Sequence, residues 1–273
     1  MDEKILEVSS GSIHYWINEI LPLRRTLVFL PGLTADHHLF DKQIEAFDRE
    51  FNILTWDAPG HAESRPFRLD FSLMDKAVWL YNILQKEMIM HPVLIGQSMG
   101  GYVSQCFMEK YPGEAAGFVS IDSAPLKRCY VTAAEIWALR KSEPMYRAFP
   151  WETLRKIGSR GCSETEYGRT LMEYFIDSYT KEEYCSLSGH GMKMLADAMD
   201  ADLPYVIDCP AVLICGEKDQ AGSAKSYNRR WAKKEGLRVF WIKDAGHNSN
   251  TDRPEEVNRI IREFVQSLPQ EDQ

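Results

Sequence analysis

Six short, apolar-rich runs recur along this chain: TLVFL, FNILTW, HPVLIG, AGFVSID, AVLICG and LRVFWI. None alternates apolar with polar residues, as a strand with one wet face would. Runs of this kind belong to strands buried on both faces. Most are separated by segments of helical period, and strands alternating with helices predict a mostly parallel sheet covered by helices on both sides. KILEV and SIHYWINE, joined by the turn signal SSGS, add an N-terminal hairpin and bring the expected total to eight strands. Length alone does not choose between one domain and two for 273 residues, but no internal repeat, low-complexity tract or linker interrupts the alternation.

The helical segments carry their own signals. Leu73, Ala77, Leu80, Leu84 and Met88 form one apolar stripe over residues 72–90, and Ser72 with Asp75 suits the start of that helix. A helix follows over MGGYVSQCFMEKY and stops at Pro112-Gly113. The last one, EEVNRIIREFVQSL, follows Pro254. From Ala124 to about Leu203 no strand pattern occurs. Thr132, Ser163 and Thr180 are each followed three residues later by Glu (Glu135, Glu166, Glu183), which predicts three capping boxes. Two further apolar-rich helical blocks flank PMYRAFPW. An all-helical insert after the sixth strand has to sit over one edge of the sheet. The expected organisation is therefore a core of residues 1–125 and 204–273 with a helical cap over 126–203.

Charge narrows the partners. A formal net charge of −8 with no basic stripe argues against nucleic acid, because phosphate binding needs clustered Lys and Arg. No run approaches the roughly 18 uninterrupted apolar residues of a membrane span. The acidic opening MDEKILEVSS does not read as a signal peptide. A cytoplasmic protein acting on a small molecule is expected, with its six scattered cysteines reduced and none paired as C-x-x-C.

Gly96-Gln97-Ser98-Met99-Gly100 matches G-x-S-x-G between a predicted strand and a predicted helix. A serine at such a turn stands clear of the sheet, and small residues two before and two after leave room for the bend. A Gly-rich turn that merely packs a helix tightly has the same spelling. What favours chemistry is the rest of the chain. A serine nucleophile needs a base, and the base needs a group that fixes its tautomer. His247 follows LRVFWI and Asp219 follows AVLIC, so all three fall at the C-terminal ends of predicted parallel strands, where open α/β sheets bind ligands. Asp122 ends the sixth strand and competes with Asp219 as the acid.

With these residues in view, the chain resembles the α/β-hydrolase fold family, of the capped serine esterase and lactonase type, from about Lys4 to Leu268. Leu30-Pro31-Gly32-Leu33 after the third strand, Asp57-Ala58-Pro59-Gly60-His61 after the fourth, the cap and the His247 loop all match its pattern. The resemblance implies a catalytic trio of Ser98, Asp219 and His247, since Gly216-Glu217-Lys218-Asp219 fits the commoner position of the acid. It also implies an oxyanion hole built from the backbone N–H groups of Leu33 and Met99, although Pro31-Gly32 stands where the family often has His-Gly. Ser98 separates the chain from the haloalkane dehalogenases and epoxide hydrolases of this fold, which carry Asp at that turn. The implied activity is hydrolysis of a small or medium ester or lactone through an acyl-enzyme, with no metal or organic cofactor required. Thioesters, amides and vinylogous C–C bonds stay open, because the same residues serve them all.

Two readings from other classes remain: a member of the fold that binds a small molecule without turnover, and a metal-dependent hydrolase using Asp57, His61 and the His37-His38 pair. His61 reads as a wall residue, His37 and His38 as pocket-lining or as a surface helix start, and His190 as a cap residue with a possible view of the cleft. His14 and His91 read as strand-edge residues. Trp137, Met145, Tyr146, Phe149, Trp151, Tyr167, Tyr174, Phe175, Met192 and Met194 would either line an apolar pocket or pack the cap.

Overall fold

Every residue of four consecutive central strands is shut off from solvent, as apolar runs without alternation require. The computed structural model describes residues 1–269. Its strands are β1 (Asp2–Val8), β2 (Gly11–Ile17), β3 (Thr26–Leu30), β4 (Asn52–Trp56), β5 (Val93–Gln97), β6 (Gly117–Ile121), β7 (Ala211–Gly216) and β8 (Arg238–Ile242). They form one sheet in the order β1-β2-β4-β3-β5-β6-β7-β8. The β1–β2 hairpin and the β2–β4 pair are antiparallel, and all other neighbours run parallel. The eight-stranded, mostly parallel sheet expected from the alternation is the one observed.

The helices are α1 (Asp41–Phe47), α2 (Leu73–Lys86), α3 (Met99–Lys110), α4 (Ala133–Arg140), α5 (Ser142–Ala148), α6 (Trp151–Cys162), α7 (Glu166–Asp177), α8 (Lys181–Asp200), α9 (Ala224–Glu235), α10 (Ser249–Asp252) and α11 (Pro254–Ser267). Two apolar layers result. One gathers Leu73, Leu80 and Leu84 of α2, Val103 and Phe107 of α3 and Trp231 of α9; the other gathers Phe47 of α1 with Val257, Ile261 and Phe264 of α11. Five helices, α4 to α8, fill the chain between β6 and β7. Among the described residues no helix is long and apolar enough to cross a membrane.

Local signals account for most helix starts. Ser72 with Asp75, Thr132 with Glu135 and Thr180 with Glu183 each form a reciprocal capping box. The expected box at Ser163 does not form. The cap of α7 is Thr165, whose hydroxyl accepts from Gly168 N–H, while the Ser163 hydroxyl donates to Asp252. A buried carboxylate is the stronger acceptor, and it draws Ser163 away from the helix end. Two other boundaries also shift. The α2 stripe ends at Lys86, and Met88 lies beyond it with a positive φ and 87% exposure. PMYRAFPW is no simple break, because Pro144 falls in the first turn of α5, where its missing N–H costs nothing.

Candidate active site

Ser98 stands between β5 and α3 with φ 48° and ψ −113°. Positive φ is strained for any residue with a Cβ, so the surroundings must impose it. They do so through three hydrogen bonds: Ser98 N–H donates to Ile121 O at 2.9 Å, and Ser98 O accepts from Gly101 N–H at 3.0 Å and Ser123 Oγ at 2.8 Å. The flanking glycines let the turn close. A Cβ on Gly96 would lie 2.4 Å from the Gly100 carbonyl carbon, and one on Gly100 would lie 1.9 Å from Leu30 O. No side chain fits either position.

His247 arrives from the loop after β8. That loop is held from three sides: Gln97 Nε2 donates to His247 O at 2.8 Å, Asn248 N–H donates to Cys162 O at 2.8 Å, and Gly246 N–H donates to Asp252 at 2.8 Å. His247 Nε2 lies 2.8 Å from Ser98 Oγ, and Nδ1 lies 3.1 Å from both oxygens of Asp219. Nδ1 faces a carboxylate, so it carries the proton and leaves Nε2 to accept from the Ser98 hydroxyl. Asp219 is buried at the end of β7 and takes a further bond from Ala221 N–H at 2.8 Å. Burial would lower the His247 pKa, but the charge and hydrogen bond of Asp219, with the Asp122 charge behind them, hold it above the ordinary imidazole value.

Asp122 stands elsewhere. Its Oδ1 accepts from Gly216 N–H at 2.7 Å, and its Oδ2 accepts from the Ser249 N–H at 2.8 Å and hydroxyl at 2.6 Å. It ties β6 to the end of β7 and the start of α10, and makes no hydrogen bond to His247. Burial, followed by the neighbouring Asp219 charge, raises its pKa.

Leu33 and Met99 flank the serine from two directions. A Cβ on Gly32 would lie 3.2 Å from Ser98 Cβ, so only glycine lets the loop after β3 approach this closely. Met99 opens α3 directly after Ser98. Among the described residues, no acceptor takes the backbone N–H of Leu33 or of Met99.

Four supporting residues escaped sequence reasoning: Gln97, Ser123, Asn248 and Asp252. Gln97 occupies the free position of G-x-S-x-G, and its buried amide bridges β5 to the His247 loop. Asp252 accepts from Gly246, Glu164 and Thr165 N–H groups and from the Ser163 and Thr165 hydroxyls, which fastens the α6–α7 turn to the His247 loop. No local pattern announces either role, since every partner is either distant in sequence or a backbone group.

The metal reading requires Asp57, His61, His37 and His38 to converge. They do not. His61 is fully buried, with Nδ1 3.1 Å from both Ala58 O and Pro59 O. Asp57 is spent on His37 Nδ1 at 2.8 Å and Glu63 N–H at 3.0 Å. Asp36, His37 and His38 do bring ligand-type atoms within 4.8 Å of one another, as do Asp122, Cys215 and Asp219. In both groups protein hydrogen bonds already engage the carboxylates. His37 stacks on Trp16 at 3.6 Å, and the Asp36 side chain accepts from His38 N–H to open a short 3-10 turn over His37–Phe40.

The family model described as alpha/beta hydrolase fold matches residues 25–160. The (E)-2-((N-methylformamido)methylene)succinate hydrolase of Acinetobacter baylyi is 22% identical over 251 residues, covering 89% of this chain and 91% of its own length. The 3-oxoadipate enol-lactonase 1 of the same organism is 24% identical over 249 residues, covering 89% of each. Among solved structures, the enol-lactonase from Burkholderia xenovorans aligns with a TM-score of 0.77 at 20% identity, over 97% of this chain and 100% of that one. A thermophilic esterase from Thermogutta terrifontis gives 0.74 at 20% identity, over 97% and 98%.

Proposed function

Because the chain belongs to the α/β-hydrolase fold family, we propose that it is a serine hydrolase that cleaves a small or medium ester or lactone through an acyl-enzyme on Ser98. The observation that carries this reading is the hydrogen-bonded row from Ser98 Oγ through His247 to Asp219, with 2.8 Å on the serine side and 3.1 Å on the acid side. Ser98 Oγ attacks the carbonyl carbon while His247 Nε2 takes its proton. The imidazolium so formed is stabilised by Asp219. The oxyanion leans on the N–H groups of Leu33 and Met99. His247 returns the proton to the departing alkoxide, and water, activated by the same imidazole, then cleaves the acyl-enzyme. Every step is served by side chains and backbone amides alone.

Helices α4 to α8 act in this scheme as a cap that selects substrates. Two contacts support that role: Gly191 of α8 packs against the Leu33 side chain, and Asp252 fastens the α6–α7 turn beside His247. The enol-lactonase among the relatives agrees with a bond of lactone type. A panel of p-nitrophenyl esters, lactones and thioesters tests the reading. The parent turns over esters or lactones, and Ser98→Ala loses roughly 10⁴-fold or more in kcat while remaining folded. Equal turnover by parent and Ser98→Ala contradicts it.

A further inference from the structure

Lys76, in the first turn of α2, is 1% exposed, yet among the described residues its Nζ donates no hydrogen bond. It lies 5.5 Å from the centre of the Phe71 ring, and His190 meets the same ring edge-on at 4.7 Å. The third base, His61, is fully buried. Its Nδ1 faces two carbonyl oxygens and therefore holds the proton, which leaves Nε2 with a bare lone pair. That Nε2 and the Nε2 of His190 are both buried without a partner. Burial first, and the Lys76 charge second, lower His61 to about 3 and His190 to about 4, so both rings stay neutral. Burial alone pushes Lys76 down to about 7, with no acid acting on it; the exposed Asp70 acts on His190 only weakly, as does Lys193.

A buried amine with no counter-charge, beside two unsatisfied imidazole nitrogens, is costly to maintain. Its place in the fold gives the cost a use. His190 precedes Gly191, which packs on Leu33, and Gly32 next to Leu33 approaches Ser98 Cβ. His61 follows Gly60, whose Cα faces Leu187 of α8. The cluster thus lies where α2, α8 and the loop after β4 meet, and α8 reaches Leu33 one residue further on. We propose that Lys76, His61 and His190 form a recognition site for a carboxylate on the substrate, carried on the part that extends past Leu33 from the reacting carbonyl.

One carboxylate oxygen accepts from the Lys76 ammonium and supplies the missing negative charge. The other faces the two Nε2 atoms. The anion's own charge, set against burial and Lys76, draws a proton from solvent onto one imidazole, which donates to it. This inference rests on Ser98 being the nucleophile, and its test keeps the two apart.

The substrates are p-nitrophenyl hydrogen glutarate, which carries a carboxylate, and neutral p-nitrophenyl butyrate. The parent prefers the anionic ester. Lys76→Met, which removes charge from apolar surroundings and keeps the fold, lowers the ratio of anionic to neutral kcat/KM at least about 30-fold, chiefly through KM. Fluorophosphonate labelling of Ser98 is measured on both proteins. An unchanged ratio with normal labelling overturns the carboxylate site and leaves Ser98 in place. If neither ester turns over and Ser98 does not label, the nucleophile reading falls. The site is then decided by free glutarate: a rise in the parent's thermal midpoint that Lys76→Met abolishes supports it, and no rise overturns it.

Discussion

Asp122 and Asp219 are the same chemical group at the ends of neighbouring strands, and their hydrogen bonds give them different work. Asp219 faces His247 Nδ1 with both oxygens, whereas Asp122 spends its own on Gly216 and Ser249. Asp219→Asn should therefore keep the shape but favour the wrong imidazole tautomer, lowering kcat by roughly 10⁴, the loss known for chymotrypsin-type enzymes. Asp122→Asn should instead cost about 1–3 kcal/mol of stability, because an amide NH₂ cannot accept from the N–H groups it would face. Thermal midpoints and kcat on both variants separate the effects; a severe kcat loss in Asp122→Asn alone would reverse the roles. The same geometry fixes a pH dependence. Only neutral His247 accepts a proton, and Asp219 holds its pKa above the ordinary value. The rate should rise with pH, with a midpoint above about 6.5. A kcat/KM profile with its acid limb below that value contradicts the arrangement.

At the scale of elements, the strands and the turn at Ser98 were legible because short-range physics writes them: apolar runs for strands buried on both faces, glycines where β5 and α3 come too close to leave room for a Cβ. Thr132 and Thr180 announced their helices for the same reason. Ser163 did not behave alike, since a carboxylate 89 residues away competes for it, and no local pattern reports a competitor at that distance. That carboxylate, Asp252, joins two loops through five donors. Its pKa is held below the usual carboxylate range: burial would raise it, but the Ser163 hydroxyl and the backbone N–H groups outweigh burial. Its stabilisation is therefore complete above the ordinary Asp pKa of about 3.9 and is lost as pH falls through the lowered value. Asp252→Asn should cost about 3 kcal/mol near neutral pH, read by denaturant unfolding, because donors gathered around a carboxylate would meet an amide. A change under about 0.5 kcal/mol would show that the two loops hold without it.

Taken whole, the molecule sets its candidate site where the sheet meets the helical insert. Ser98, His247 and Asp219 come from the ends of β5, β8 and β7, which lie in one half of the sheet with only β6 between them. The sequence order of strands and the requirement of a base for a serine nominated Ser98, His247 and two candidate acids, and the family resemblance chose Asp219 over Asp122. The insert was less legible. Of the ten large residues named within it, Trp137, Met145, Phe149, Tyr167 and Tyr174 are exposed, while Phe175 and Met194 are buried. Periodicity says that a helix has an apolar face but not which neighbour covers it. Lys76 was hidden more completely, since a lysine on a helix reads as solvated until its neighbours are known. All of this depends on one atom forming the covalent bond. The direct measurement is to treat the protein with a fluorophosphonate and map the adduct by peptide mass spectrometry. The account predicts a single adduct on Ser98, with loss of hydrolysis in step with labelling; an active protein labelled at another residue, or not at all, would contradict it.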